Sequence, residues 1–129
     1  MIYVDSSVVL AQLLAEDHYP DASFWRGGPF VSSRSLEYEV WNRINGRGLA
    51  ASHAEDVRSL LGRLAFLELA AAVLARALDP FPIPVRTLDA LHLASIDFLR
   101  GIGQRPTLAT YDHRLSEAAT ALDIPLATI

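Results

Sequence analysis

Ile2-Tyr3-Val4-Asp5-Ser6-Ser7-Val8-Val9-Leu10-Ala11-Gln12-Leu13-Leu14-Ala15 opens the chain with a β-prone run, a polar break and an apolar run at helical spacing. A short strand over Ile2 to Val4 passing at once into a helix over Val8 to Ala15 is a strand–turn–helix start. The pattern repeats downstream. Pro29 to Ser32 reads as a second strand, and from Ser33 a helix follows with Leu36, Val40 and Ile44 on one stripe, closing at Gly46 and Gly48. Ser52 to Leu64 reads as a helix with Ser52 and Glu55 as a capping box. Phe66 to Leu69 is then a strand, Ala71 to Leu78 a helix, and Thr87 to Leu99 a helix with Thr87 as N-cap. Thr107 to Thr110 is a strand, Asp112 to Leu122 a helix, and Leu126 to Ile129 a last strand. Strands alternating with helices predict an α/β/α sandwich around a mostly parallel sheet.

Composition narrows the chemistry. The 129 residues carry 11 basic and 15 acidic side chains, a formal net charge of −4, and are 51% hydrophobic, which fits a single domain spanning 1–129 with an ample core. There is no cysteine, so thiol catalysis, Cys-ligated zinc and iron–sulfur clusters are excluded. Every basic residue is arginine, so Schiff-base lysines and a P-loop phosphate lysine are excluded as well. The start, MIYVDSS, has no basic region before an apolar stretch, and the apolar run from Leu64 to Ala75 is interrupted by Glu68, far short of the ~20 residues that span a bilayer. A cytoplasmic protein is expected.

The acids fall in a pattern. In an open α/β sheet, ligands bind beyond the carboxyl ends of the strands. Asp5 directly follows the first strand, Asp112 follows the Thr107–Thr110 strand, and Asp89 stands in the first turn of the helix from Thr87. Each alone is explained by helix capping. Brought to one edge they would repel unless a positive charge neutralised them. Arginine can do that, and so can Mg²⁺ or Mn²⁺, which take hard oxygen ligands. With four such acids set aside, the remaining acids balance the arginines.

Four blocks carry a resemblance: Val4-Asp5-Ser6-Ser7, Ser33 to Arg43 (SRSLEYEVWNR), Leu88-Asp89-Ala90-Leu91-His92-Leu93-Ala94, and Thr110-Tyr111-Asp112-His113-Arg114-Leu115. In order and spacing they resemble PIN-domain ribonucleases, and most of all the VapC toxins of bacterial toxin–antitoxin pairs. The resemblance implies an endoribonuclease dependent on Mg²⁺ or Mn²⁺, an RNA substrate, a cognate antitoxin and a homodimer. It places the family's first, third and fourth acids on Asp5, Asp89 and Asp112. Its second acid, counted from Ser33, falls on Glu39. Glu37 is the competitor; the two are about 200° apart on a helical wheel and flank the apolar stripe on opposite sides, so periodicity does not choose. All four are therefore expected as catalytic metal ligands.

Other residues take lesser roles. Glu39 has a plain alternative in an i, i+4 ion pair with Arg43. Asp97 lies about 12 Å along the helix from Asp89 and should miss the site. His92 reads as packing or as a partner to the acids, since hard cations prefer oxygen. Ser6 and Thr110 adjoin site acids and can hydrogen-bond them or cap turns. Arg34, Arg43, Arg47, Arg86 and Arg114 lie in or beside the acidic blocks and are candidates for phosphate contacts. Phe24, Trp25, Tyr38 and Trp41 are either core or a partner surface. Two other functions compete: an aspartate-based phosphatase with Asp5 as phosphate acceptor, which lacks the expected second Asp because Ser7 stands there, and a catalytically silent binding module.

Overall fold

The computed structural model describes residues 1–129. The chain runs β1 (Ile2–Val4), α1 (Ser6–Leu13), α2 (Ala22–Trp25), β2 (Phe30–Ser33), α3 (Ser35–Gly46) and α4 (Ala50–Leu61). It continues through β3 (Leu64–Leu67), α5 (Ala71–Leu78), α6 (Thr87–Gly101), β4 (Thr107–Ala109) and α7 (His113–Ala121).

The strands form one sheet in the order β3-β2-β1-β4, and every neighbouring pair is parallel. A parallel sheet must be covered on both faces, and the two-residue period of a strand supplies both. Val4 and Phe30 enter one apolar cluster with Val8, Leu36, Val40 and Val57 from α1, α3 and α4. Their neighbours Tyr3 and Val31 enter the other, with Leu93 and Ile96 from α6 and Leu115 from α7. The result is the α/β/α sandwich, with the sheet wholly rather than mostly parallel. Leu36, Val40 and Ile44 are fully buried. At about 1.5–3 kcal/mol for each aliphatic side chain, that stripe fixes the rotation of α3 and hence the direction of the polar residues flanking it.

The chain builds β1, β2 and β3 outward in one direction and returns to add β4 on the other side of β1. Connections therefore diverge above the carboxyl ends of β1 and β4, which opens a crevice there. Asp5 is the N-cap of α1, its side chain accepting from the Ser7 amide, and Asp112 is the N-cap of α7, accepting from the Arg114 and Leu115 amides.

Several sequence expectations are corrected. The helix expected over Ser52–Leu64 is Ala50–Leu61, with Leu49 at the N-cap, so Ser52 and Glu55 form no capping box; the Ser52 hydroxyl instead donates back to the Leu49 carbonyl. Leu64 consequently starts β3, two residues earlier than the expected Phe66–Leu69, because its side chain is needed in the core beneath α4. Thr87 is inside α6, whose N-cap is Arg86 and has no side-chain cap. The strand expected over Leu126–Ile129 is reduced to one bridge between Leu126 and Leu108. Helix α2 has no counterpart in the sequence pattern; it buries Trp25 against Phe24 and Phe30, with the indole N–H donated to Gln12. Trp25 is thus core, Phe24 and Trp41 are half-buried against the same cluster, and Tyr38 alone of the four aromatics stays exposed.

Candidate active site

The structure brings Asp5, Glu39, Asp89 and Asp112 to the walls of one cleft of about 1100 Å³ above the carboxyl edge of the sheet. Glu37 is not among its walls; it pairs with Arg34, which also holds Glu68. The fully buried stripe of α3 decides this, since it turns Glu39 toward β1 and Glu37 away. The expected alternative for Glu39, a pair with Arg43, does not form.

Each acid is held differently. Asp5 is buried, and both its oxygens are occupied: Oδ1 accepts from the Ser7 amide at 3.1 Å and the Ser7 hydroxyl at 2.6 Å, Oδ2 from the Thr110 hydroxyl at 2.9 Å. Glu39 accepts from the Ser6 hydroxyl at 2.7 Å and meets His92 Nε2 at 2.7 Å. The other ring nitrogen of His92 lies 2.7 Å from the Tyr3 hydroxyl, so a buried chain Tyr3–His92–Glu39 runs from the core to the cleft. Asp112 Oδ1 is fixed by the α7 amides, and its Oδ2 lies 3.4 Å from Arg86. Asp89 differs: it is 7% exposed, its Oδ2 is buried without a hydrogen-bond partner, and the nearest cation is Arg86 at 3.7 Å.

Electrostatics follow from that arrangement. Burial pushes the Asp5 carboxyl above its ordinary range, with the Glu39 charge adding to the rise, while His92, Ser7 and Thr110 offset part of it. Burial also raises Asp89, and the negative charge of Asp112 raises it further, against a partial offset from Arg86. Burial alone would depress His92, but the hydrogen bond and charge of Glu39, joined by Asp5 and Asp89, carry it above its ordinary value. The cleft is therefore short of positive charge.

A hard divalent cation fits this donor set. The potential ligands are all carboxylate oxygens, and the unpartnered buried Oδ2 of Asp89 faces a cost of roughly 1–3 kcal/mol that coordination would remove. No three Asp, Glu or His side chains are gathered as a ready-made cage. Asp5 and Glu39 lean instead on serine, threonine, histidine and amide donors, and Asp112 on the α7 amides and Arg86.

Sequence reasoning missed three participants or left them open. Ser7 links Asp5 to the backbone of Tyr111, and Thr110 bonds both Asp5 and the Asp112 amide, so the two strand ends are laced together. Tyr3 carried a visible signal only as an inward strand residue. Asp97 lies outside the cleft, paired with Arg76 at 2.9 Å.

The fold and cleft define a class: a parallel α/β domain whose sheet switch point is an acidic crevice suited to a cation. The family model of the PIN domain matches residues 2–121, and the chain belongs to the PIN-domain family. It is 30% identical over 129 residues to Ribonuclease VapC35 of Mycobacterium tuberculosis, covering 96% of this chain and 93% of that protein. It is 34% identical over 127 residues to Ribonuclease VapC46 of the same species, covering 94% and 92%. Among solved structures, Mycobacterium tuberculosis VapC20, a sarcin–ricin-loop-cleaving toxin, superposes with a TM-score of 0.66 at 20% identity over 92% of this chain and 95% of that one. A toxin–antitoxin complex from Klebsiella pneumoniae also matches with a TM-score of 0.66, at 12% identity over 98% and 97%.

Proposed function

We propose that the 129 residues form one nuclease domain, the toxin of a type II toxin–antitoxin pair, which hydrolyses RNA phosphodiesters with Mg²⁺ or Mn²⁺. Asp5, Glu39, Asp89 and Asp112 would hold the cation. The observation that carries this reading is the buried Asp89 Oδ2, without a hydrogen-bond partner, in a cleft walled also by Asp5, Glu39 and Asp112 and by the exposed Glu16 and Asp17. The ribonuclease names of its relatives supply the substrate class.

A cation held there would supply Lewis-acid charge at the scissile phosphate and lower the pKa of a water, so that the water can give up a proton and attack as the nucleophile. The chain's own part is geometry and proton handling. Ser7 and Thr110 lock Asp5, and Ser6 and His92 lock Glu39, so neither carboxylate swings away from the cleft. Asp89 Oδ2, without a hydrogen-bond partner, is the oxygen best placed to meet the cation, and one of the four acids would take the proton of the attacking water. Arg86 neutralises part of the Asp89 and Asp112 charge; with 67% of its side chain exposed it is free to swing toward a phosphate. Asp5 suits a ligand better than a phosphate acceptor, since it is 4% exposed with both oxygens engaged, which speaks against the phosphatase alternative.

The reading includes an antitoxin partner, a homodimer and a cytoplasmic setting. No helix is long and apolar enough to cross a membrane. The deciding experiment is incubation with RNA in Mg²⁺, Mn²⁺ or EDTA, with the product ends mapped. Cutting that stops in EDTA and leaves 5′-phosphate and 3′-hydroxyl ends is expected. Cyclic phosphate ends, or full activity in EDTA, would overturn it. Light scattering on the purified chain tests the dimer, and co-purification with the co-expressed neighbouring gene product tests the antitoxin.

A further inference from the structure

A second groove continues from the acidic cleft along α3. The two share Ser6, Leu10, Glu39, Arg43 and Leu88, and beyond Arg43 the second is walled by Tyr38, Asn42 and Arg47. The α3 face that turns Glu39 into the cleft thus carries on outside it, with one helical turn between Glu39 and Arg43 and another between Arg43 and Arg47.

Ser6, Ser35 and Glu39 on the groove wall are hydrogen-bonded within the protein, but the side chains of Tyr38, Asn42, Arg43 and Arg47 are not. Arg34, Arg76, Arg86 and Arg100 form the arginine ion pairs of the chain; Arg43 and Arg47 form none and make no side-chain hydrogen bond. Glu39, the carboxylate one turn away that would ordinarily neutralise Arg43, is held inward by His92 and Ser6. Two like charges a turn apart repel, and an anion between them reverses the sign. Tyr38 is 67% exposed, and its ring stacks on no other aromatic. A Cβ at Gly46 would meet nothing within 4 Å, so the groove is open at its far end.

Unpaired guanidiniums, an unpartnered aromatic face and a free amide on a track leading from a hydrolytic cleft are the components by which proteins hold single-stranded nucleic acid. We infer that this groove binds the unpaired nucleotides flanking the scissile bond: Arg43 and Arg47 contact phosphates, Tyr38 stacks on a base and Asn42 meets a base edge. The inference rests on the nuclease reading and deepens it. A polyanion suits the groove better than a protein segment, because the two cations stand without any carboxylate on the groove wall past Glu39.

The test compares wild type, an Arg43→Ala/Arg47→Ala double variant, Tyr38→Ala, Tyr38→Phe and, as control, Arg26→Ala, which lies outside both grooves. Each is assayed with Mn²⁺ on a single-stranded oligoribonucleotide that wild type cuts, from roughly 50 to 200 mM salt. Anisotropy of the same RNA in EDTA gives binding without cleavage. The double variant is expected to raise KM and Kd roughly tenfold with kcat within about twofold, and to flatten the log–log salt slope by about 0.7 for each phosphate that is no longer neutralised. Tyr38→Ala should raise KM about tenfold with the slope kept, and Tyr38→Phe should behave as wild type, because stacking needs the ring and not the hydroxyl.

Unchanged KM, Kd and slope in the double variant and in Tyr38→Ala would overturn the inference while leaving the nuclease standing. So would loss confined to kcat, or variants that cut normally but escape inhibition by the antitoxin, since the groove would then serve a protein. A wild type that cuts no RNA in any divalent cation is a different result; it removes the nuclease reading and this one with it.

Discussion

Helix α6 carries an aspartate near each end, and the two are treated in opposite ways. Asp97, on the third turn, meets Arg76 at 2.9 Å and Arg100 at 3.7 Å and sits at the half-buried α5–α6 seam. Asp89, on the first turn, is more deeply buried, yet its Oδ2 has only Arg86 at 3.7 Å and no hydrogen-bond partner. An acid serving only the fold is expected to be neutralised in the way Asp97 is. The shortage of positive charge around Asp89, at the sheet edge where Asp112 adds to it, marks an acid kept for something that arrives from outside.

The largest effect that would sharpen this contrast is Asp89→Asn. Activity on RNA should fall by more than the roughly 10–100-fold typical of losing an outer partner of a metal ligand. The metal-free protein should melt no lower than wild type, because a raised carboxylate has been replaced by a neutral amide of the same shape. The pH sign follows from the same shift. Asp5 and Asp89 are raised from 3.8, so the folded state is favoured while they are protonated and loses that advantage as pH rises through their folded values. Melting curves in EDTA should show Asp89→Asn with a flatter decline toward neutral pH than wild type. Added Mg²⁺ or Mn²⁺ should raise the wild-type midpoint and leave the variant's almost unmoved. A large metal-free drop in the variant would return Asp89 to a helix-start role.

Next in size is His92→Ala. It removes the middle of the Tyr3–His92–Glu39 chain and leaves a buried hydroxyl and one Glu39 oxygen unpaired, about 1–3 kcal/mol for each buried group. Activity should drop roughly 10–100-fold. Restoring stability with high osmolyte should not restore activity, because Glu39 has lost the donor that aims it. Full recovery would make His92 a packing residue only.

The contrast also explains what could be read in advance. Strand–helix alternation and the Leu36–Val40–Ile44 stripe were legible because burial imposes periods of two and 3.6 residues on the sequence. Asp5, Asp89 and Asp112 were legible as acids at strand ends or helix starts. Periodicity did not tell Glu37 from Glu39, since both flank the stripe; the spacing within the resemblance chose Glu39, and the packing of α3 against α1 and α4 is the physical reason that it faces the cleft. The Ser7–Thr110 lacing was illegible for a related reason: the two residues are brought together by the pairing of β1 with β4, and no local signal in either segment announces it. Ser52 misled because a capping box is a local signal, and the chain had already entered α4 at Ala50.

A smaller effect is expected at the other end of α6. Asp97→Asn should cost about 1 kcal/mol, since both partners of the pair with Arg76 keep less than a third of their surface exposed. Thermal melts read the loss, and RNA cleavage should match wild type. If Asp97→Asn damaged activity as Asp89→Asn does, the distinction between a paired and an unpaired acid on one helix would carry no functional meaning.

The smallest effect tests the same distinction on α3. Glu37 retains 32% of its side-chain surface and shares Arg34 with Glu68, whose carboxylate takes both the Nε and the terminal nitrogen of that guanidinium. Glu37→Gln therefore leaves Arg34 with a two-pronged partner, and melting temperature and cleavage should both stay at wild-type values. Glu39 keeps 12%, and its oxygens are tied to Ser6 and His92. Glu39→Gln changes only the charge and one acceptor, so the amide can hold the same place while offering a cation far less. Cleavage should collapse without a matching loss of fold. The reverse outcome, activity lost with Glu37→Gln and kept with Glu39→Gln, would mean that the α3 stripe does not set which carboxylate serves the cleft.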